Sequence, residues 1–154
     1  MPVAIVASEA PARAKSTNYP ELFASRMAGR RKHPLGDLFG LRNFGVNLTR
    51  LEPGAATALH HRHSLQDEFV YVLAGEPTLV GDDGVVTLRP GMCAGFRSGG
   101  PAHHLENRGT EEVIILEVGD RSVGDEVVYP HDDIAAVMGE DGRWSYRRKN
   151  GEAY

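Results

Sequence analysis

Turn residues recur at short, nearly regular intervals through the middle of this 154-residue chain, and this spacing constrains its fold more than any other feature. Between residues 44 and 119 the apolar runs are short, and roughly eight to ten residues separate one turn signal from the next. Such spacing favours many short strands and predicts an all-β sandwich or barrel. The turn signals lie at Pro53-Gly54, Gly75, 81–84, Pro90-Gly91, 98–101 and 107–110.

Alternation within the runs predicts individual strands. Phe44, Val46 and Leu48 alternate with small or polar residues, which is typical of a half-buried strand. The segment 68–73 is apolar on both faces and is predicted to be a central strand. The Asp-Asp-Gly sequence at 82–84 separates two apolar runs and predicts a hairpin whose strands are antiparallel neighbours.

The flanks are predicted to complete the same single domain. Residues 1–43 form an N-terminal arm, in which residues 19–27 supply one or two helical turns before glycines and prolines interrupt them. Residues 44–120 form the core. Residues 121–154 are predicted to add a short strand, a brief C-terminal helix over 132–138 and a packed tail.

Composition excludes several function classes. The net charge of -4 provides no basic surface for a phosphate backbone, so we expect no nucleic-acid partner. No apolar run reaches the ~18 residues of a membrane span, and the first residues do not resemble a secretion signal, so we expect a cytoplasmic protein with no membrane partner. The single cysteine, Cys93, is predicted to be a small buried residue. Any metal site must therefore use nitrogen and oxygen ligands, which excludes Cys-rich zinc modules and iron–sulfur clusters.

The first group of histidines falls on alternate positions of a predicted strand. His61 and His63 share the face of Leu59, which suits the protein interior, whereas His60 and Arg62 share the opposite face, which suits solvent. Residues at i and i+2 of an extended strand lie about 7 Å apart, so both imidazoles can converge on one ion. After a turn, Glu68 opens the next strand on its inward face.

A second group of histidines follows some forty residues later. His103 shares a face with Leu105 and Asn107, whereas His104 shares a wholly polar face with Glu106. His103 is therefore the better inward ligand, and His104 is the alternative. The predicted ligand set is His61, His63, Glu68 and His103.

The two groups together resemble the paired motifs of the cupin superfamily. The residues that resemble the first motif are Gly54, His61, His63, Glu68 and Gly75. Those that resemble the second are Pro90, Gly91, His103 and Asn107. The chain departs from the pattern in having one more residue between Gly54 and His61, and a longer, glycine-rich segment at 94–102.

The resemblance implies a small antiparallel β-barrel of jelly-roll type that holds one metal in its mouth and forms a homodimer. The flanking sequence is similar to small single-domain bacterial cupins of mostly unassigned activity, some of which are named sugar-phosphate isomerases. Three imidazoles and a carboxylate suit one divalent ion of Fe, Mn, Ni, Co or Zn, and an octahedral ion would keep two open positions.

Such a site could support isomerase, lyase or dioxygenase reactions on a small polar molecule, and the sequence does not choose among them. A metal-anchored binding or sensor module without catalysis is the alternative. Arg97 is a candidate for pairing with a substrate carboxylate or phosphate. His104, Tyr71 and Glu106 are candidates for proton transfer by their nearness to the motifs. The predicted substrate-binding residues are Arg97, Tyr71 and His104.

Overall fold

A computed structural model describes all residues from 1 to 154 and shows twelve strands and four short helical turns. No helix in it combines the length and the apolar character that crossing a bilayer requires. The helical turns are α1 (Glu21–Ala24), α2 (Leu35–Leu38) and 3-10 turns at Ala7–Glu9 and Ser25–Met27. The strands are β1 (Arg30–Pro34), β2 (Phe44–Leu51), β3 (Arg62–His63), β4 (Glu68–Ala74), β5 (Thr78–Gly81), β6 (Gly84–Thr87), β7 (Cys93–Phe96), β8 (His103–Glu106), β9 (Val113–Asp120), β10 (Glu126–Val128), β11 (Ala135–Met138) and β12 (Trp144–Arg147).

The strands form three antiparallel sheets. Their strand orders are β1-β2-β9-β4-β7, β12-β11-β10-β3 and β6-β5-β8. Isolated bridges at Ala56↔Glu106 and His61↔His103 link the segment before β3 to β8, so the sheets are joined without forming one closed barrel. The predicted all-β, antiparallel fold is confirmed, and so is the hairpin at 82–84, where Gly81 pairs with Gly84 between β5 and β6.

The main core lies under the five-stranded sheet, in which β4 has the predicted central place between β9 and β7. Val70 and Val72 of β4 are buried, and Val72 packs in one cluster with Ile115 of β9 and Leu105 of β8. Phe69, Tyr71 and Leu73 point to the other side of the sheet and are exposed. Cys93 is also exposed, so its predicted burial is wrong.

The N-terminal segment takes part in both the sheet and a second core. Its strand β1 pairs with β2 in register Arg30↔Leu51 to Pro34↔Asn47, a strand that the sequence pattern did not predict because 30–33 is Arg-Arg-Lys-His. Phe23 and Met27 from the predicted helical turns pack with Leu59 and Tyr129. Strand β1 therefore extends the sheet at its edge, and the helical turns pack against Leu59, close to the histidine segment.

The predicted C-terminal helix over 132–138 is wrong. Ala135–Met138 is strand β11, paired with β10 on one side and β12 on the other. Its residues alternate between more exposed and buried positions, which is the period of a strand. Asp132, whose side chain was expected to cap a helix, instead accepts a hydrogen bond from Arg26 at 2.5 Å. Pairing on both edges outweighs the helix propensity of two alanines.

Two motif glycines, Gly54 and Gly75, have left-handed backbone conformations, and alanine substitutions at them test how tightly each turn is packed. Gly75 has φ of +74°, and a Cβ there would lie 2.6 Å from the carbonyl oxygen of Glu112 at the start of β9. Gly54 has φ of +86° and open space around it. Gly54→Ala should cost only the left-handed penalty of about 1–2 kcal/mol. Gly75→Ala adds a backbone clash, and we expect it to lower the free energy of unfolding by roughly 3 kcal/mol or more. Urea denaturation of both variants measures the difference, and equal losses would contradict this account.

Candidate metal centre

Three imidazoles converge on one carboxylate oxygen. The Nε2 atoms of His61, His63 and His103 lie 3.3, 3.5 and 3.0 Å from Oε2 of Glu68. His61, His63 and Glu68 each offer a ligand atom within 4.8 Å of the others. The structure thus brings the four residues of the predicted ligand set together.

Backbone pairing explains the convergence. His61 and His103 face each other in an isolated antiparallel bridge, with N···O distances of 3.1 and 2.8 Å for their two hydrogen bonds. Directly opposed residues project their side chains to the same side. His63 in β3 lies two positions after His61 and therefore on the same face of the chain. Glu68 is the first residue of β4 and shares the inward face of that strand with the buried Val70.

Hydrogen bonds at the far ring nitrogens orient two of the imidazoles. Nδ1 of His61 donates to the carbonyl oxygen of Leu59 at 2.8 Å, and Nδ1 of His63 donates to the Asp125 carboxylate at 2.5 Å. Because both partners accept, Nδ1 carries a hydrogen, and Nε2 of each neutral ring presents a lone pair to Glu68. This tautomer is the one that a metal-ligating histidine needs.

The arrangement of acceptors fits a bound cation. Oε2 of Glu68 is buried and has no hydrogen-bond partner, although three ring nitrogens surround it. Lone pairs that face a carboxylate oxygen repel one another unless positive charge lies between them, either a proton or a metal ion. Three nitrogens and one oxygen are a suitable donor set for a divalent transition metal.

Asp125 supports this centre although no sequence motif marks it. Its side chain is fully buried and accepts hydrogen bonds from His63, from the Ser64 hydroxyl at 3.3 Å and from the backbone N–H groups of Leu65 and Gln66 at 2.7 and 3.1 Å. These bonds fix the turn that leads from His63 to Glu68. A carboxylate behind a histidine ligand is a common device for holding the ring in place.

The protonation states follow from the same contacts. Burial alone would raise the pKa of Glu68, but the imidazoles, with His61 the largest influence, hold that pKa well below its usual range. Burial alone would lower the pKa of His63, yet its hydrogen bond with Asp125 and the nearby Glu68 carboxylate outweigh burial and raise the pKa to about 9. Burial lowers the pKa of His103 despite the attraction of Glu68. In the metal-free protein, a proton on His63 therefore supplies the positive charge at neutral pH.

A cavity of about 790 Å³ opens onto the centre. Glu68 and His103 line it together with Phe96, whose ring stacks on that of His103 at 3.5 Å between centroids. Arg97 also lines the cavity and makes no ion pair or side-chain hydrogen bond. Of the three predicted substrate-binding residues, Arg97 is therefore the one placed beside the metal ligands.

The other two predicted substrate-binding residues lie elsewhere. Tyr71 is on the exposed outer face of β4, because its parity is opposite to that of Glu68. His104 is on the far side of β8, where its Nδ1 lies 2.9 Å from His60 and its Nε2 lies 2.7 Å from Glu106. His60 was predicted to face solvent, which is wrong: only 6% of it is exposed. The cavity lining includes none of Tyr71, His104, His60 and Glu106.

Comparison with known proteins identifies relatives of the whole chain. The sequence profile of the cupin domain matches residues 47–119. The structure of a sugar phosphate isomerase from Silicibacter pomeroyi, of the cupin superfamily, is 36% identical and superposes with a TM-score of 0.90, covering 98% of this chain and 96% of that one. A protein from Acidithiobacillus ferrooxidans, whose name proposes a sugar phosphate isomerase, is 30% identical, with a TM-score of 0.72 and 91% and 96% coverage. No curated protein matches the sequence significantly.

A more distant structure shares the fold alone. The polyketide cyclase of Streptomyces resistomycificus is 18% identical and has a TM-score of 0.64, over 78% of this chain and 80% of that one. The homodimer and the cytoplasmic location stay predictions, and the choice among Fe, Mn, Ni, Co and Zn stays open.

Metal affinity should depend on pH through His63. Because a metal binds only the deprotonated imidazole, and the pKa of His63 in the metal-free protein is about 9, binding at neutral pH must release its proton. We expect the apparent affinity for Co(II) to rise about tenfold per pH unit from pH 7 towards 9, and to level off above. Chelator-buffered titrations measure this slope, and an affinity independent of pH over that range would contradict the assignment.

Proposed function

Since the chain belongs to the cupin superfamily, we propose that it is a metal-dependent isomerase that acts on a small phosphorylated sugar. One observation carries this proposal: a single cavity is lined by the metal ligands Glu68 and His103 and by the free guanidinium of Arg97. A substrate there can reach the metal with one end and a fixed positive charge with the other. The two relatives of highest identity described above are named for the same reaction.

The residues that line the cavity have different proposed roles, according to their chemistry. Arg97 is suited to bind a phosphate through two parallel hydrogen bonds, because its planar fork matches the anion. Phe96 covers the ring of His103 and makes that side of the cavity apolar. A bound divalent ion supplies Lewis-acid polarisation of a hydroxy-carbonyl group. The apolar wall would raise the strength of such electrostatic contacts by excluding water.

Isomerisation of an aldose and a ketose also needs a base that is not a ligand. It must remove a proton from the carbon next to the carbonyl and return it to the former carbonyl carbon, while the hydroxyl proton of that neighbouring carbon passes to the former carbonyl oxygen. Asp67 lines the cavity beside Glu68, and its Oδ1 accepts the backbone N–H of Ser98 at 2.6 Å, which fixes the carboxylate. We assign this role to Asp67 in place of His104, Tyr71 and Glu106, which lie outside the cavity.

The proposal is tested with metal-loaded protein in D2O. Aldose phosphates of four to six carbons and the matching unphosphorylated sugars are incubated and followed by proton NMR. Deuterium incorporation next to the carbonyl, together with the isomeric ketose, is expected for a phosphorylated substrate only. Sugar phosphates that bind but are recovered without exchange would contradict the isomerase and support the metal-anchored binding module.

Arg97→Gln should separate phosphate binding from metal binding. A charged hydrogen bond of this kind is worth about 1.5–3 kcal/mol, so kcat/KM for the phosphorylated substrate should fall about 10- to 100-fold, mainly through KM. Metal content should stay at the wild-type value. Arg89→Gln removes an exposed arginine outside the cavity and serves as the control. An equal loss in both variants, or none in Arg97→Gln, would contradict the role of Arg97.

A further inference from the structure

A second polar network lies behind the metal centre, on the opposite side of the histidine strands. It begins at Asp82, in the turn between β5 and β6, whose two carboxylate oxygens have different partners. Oδ1 lies 2.8 Å from Nε2 of His60, and Oδ2 accepts the backbone N–H of Ala102 at 3.0 Å. His60 and Ala102 are the residues directly before His61 and His103.

The backbone alone holds the segment before His61 weakly, whereas His103 lies in strand β8, which pairs with β5 from Thr78↔Glu106 to Gly81↔His103. Strand β3 begins only at Arg62, and the segment 58–60 has no ladder partner. The pairing of His61 with His103 is one isolated bridge, and the next bridge on that side is at Ala56. A ligand on such a segment depends on side-chain contacts for its position, because few backbone hydrogen bonds fix the local φ and ψ angles.

The network supplies those contacts through the buried His60 and the partly buried His104, which link the exposed Asp82 to Glu106. His60 is engaged at both ring nitrogens, since its Nδ1 lies 2.9 Å from Nδ1 of His104. His104 in turn lies 2.7 Å from Glu106 through its Nε2, and the ring of His131 stacks on His60 at 5.0 Å. Every polar atom of the two histidine rings is therefore occupied, which fixes them in place and leaves no nitrogen for a second metal.

We propose that Asp82 is a positioning residue of the metal centre. Its carboxylate ties the residue before His61 to the residue before His103, and so sets the separation and the angle of the two ligands. The backbone of Asp82 strengthens the tie, because its N–H donates to the carbonyl oxygen of Ala102 at 3.1 Å. The inference rests on the metal centre of the proposed function.

The same turn also belongs to the wall of the cavity. Asp83 and Gly84, which follow Asp82, line the cavity beside Glu68 and His103. The turn that carries Asp82 therefore borders both the cavity and the segment before His61.

Asp82→Asn tests the proposal, because a carboxamide places an acceptor oxygen at only one of the two positions and an NH2 donor at the other, so it cannot accept from both His60 and Ala102. Loss of a residue that orients a ligand commonly weakens metal binding 10- to 100-fold, and we expect a loss of about tenfold in Co(II) affinity. The visible ligand-field bands of the Co(II) protein should also shift. Asp141→Asn is the matched control: Asp141 lies in the β11–β12 turn and accepts the backbone N–H of Arg143 at 3.0 Å. It should leave the Co(II) affinity and bands unchanged.

A purely structural role for Asp82 predicts something different. It would lower the unfolding midpoint of the metal-free protein and leave the Co(II) bands unchanged, and that result would overturn the proposal. If Asp82→Asn does not fold, His60→Gln is measured in the same way and must shift the Co(II) bands. Suppose that the wild-type protein binds Co(II) and isomerises its substrate, but a variant keeps the wild-type Co(II) affinity and bands. That result would overturn this inference and leave the proposed function intact.

Discussion

The central constraint in this protein is the placement of three imidazole nitrogens around one buried carboxylate oxygen. Glu68 Oε2 lies within 3.5 Å of the Nε2 atoms of His61, His63 and His103, and it has no hydrogen-bond partner of its own. Such a group of acceptors is unfavourable without positive charge, which a proton on His63 supplies in the metal-free protein and a metal ion would supply in its place. The surrounding structure keeps the three imidazoles and the carboxylate together.

Different parts of the fold contribute to that task. The five-stranded sheet fixes Glu68 through the register Glu68↔Gly119, next to the apolar core. Asp125 orients His63 and the turn that follows it, while Asp82 and His60 act from the opposite side. The cavity opens on the side that Phe96 and Arg97 line.

Strand periodicity predicted the core of this arrangement because a side-chain period of two assigns each residue to a face. Parity placed His61, His63 and Glu68 on one inward surface and favoured His103 over His104, and the structure brings those four together. Parity could not show that His60 is buried, because that depends on the β5–β6 hairpin folding back to place Asp82 against it. Nearness in sequence also misplaced Tyr71, which is three residues from Glu68 but on the opposite face.

Other features depend on contacts between distant segments and had no local signal. Asp125 lies 62 residues from His63, and its role arises from the pairing of β10 with β3. The segment after Asp132 has local helix signals, yet it becomes β11 because strands on both sides pair with it. Asn107, part of the second motif, donates hydrogen bonds from its carboxamide nitrogen to the carbonyl oxygens of Leu51 and Glu111. Its role in the motif is therefore to stabilise the fold, and it is not a ligand of the candidate metal centre.

The most direct test of the account is an anomalous difference map from crystals of the Co(II)-loaded protein. A single strong peak per chain is expected about 2.0–2.2 Å from each Nε2 of His61, His63 and His103 and from a carboxylate oxygen of Glu68. A map with no peak at this position, or with its main peak at the His60–His104 pair, would contradict the assignment of the metal centre.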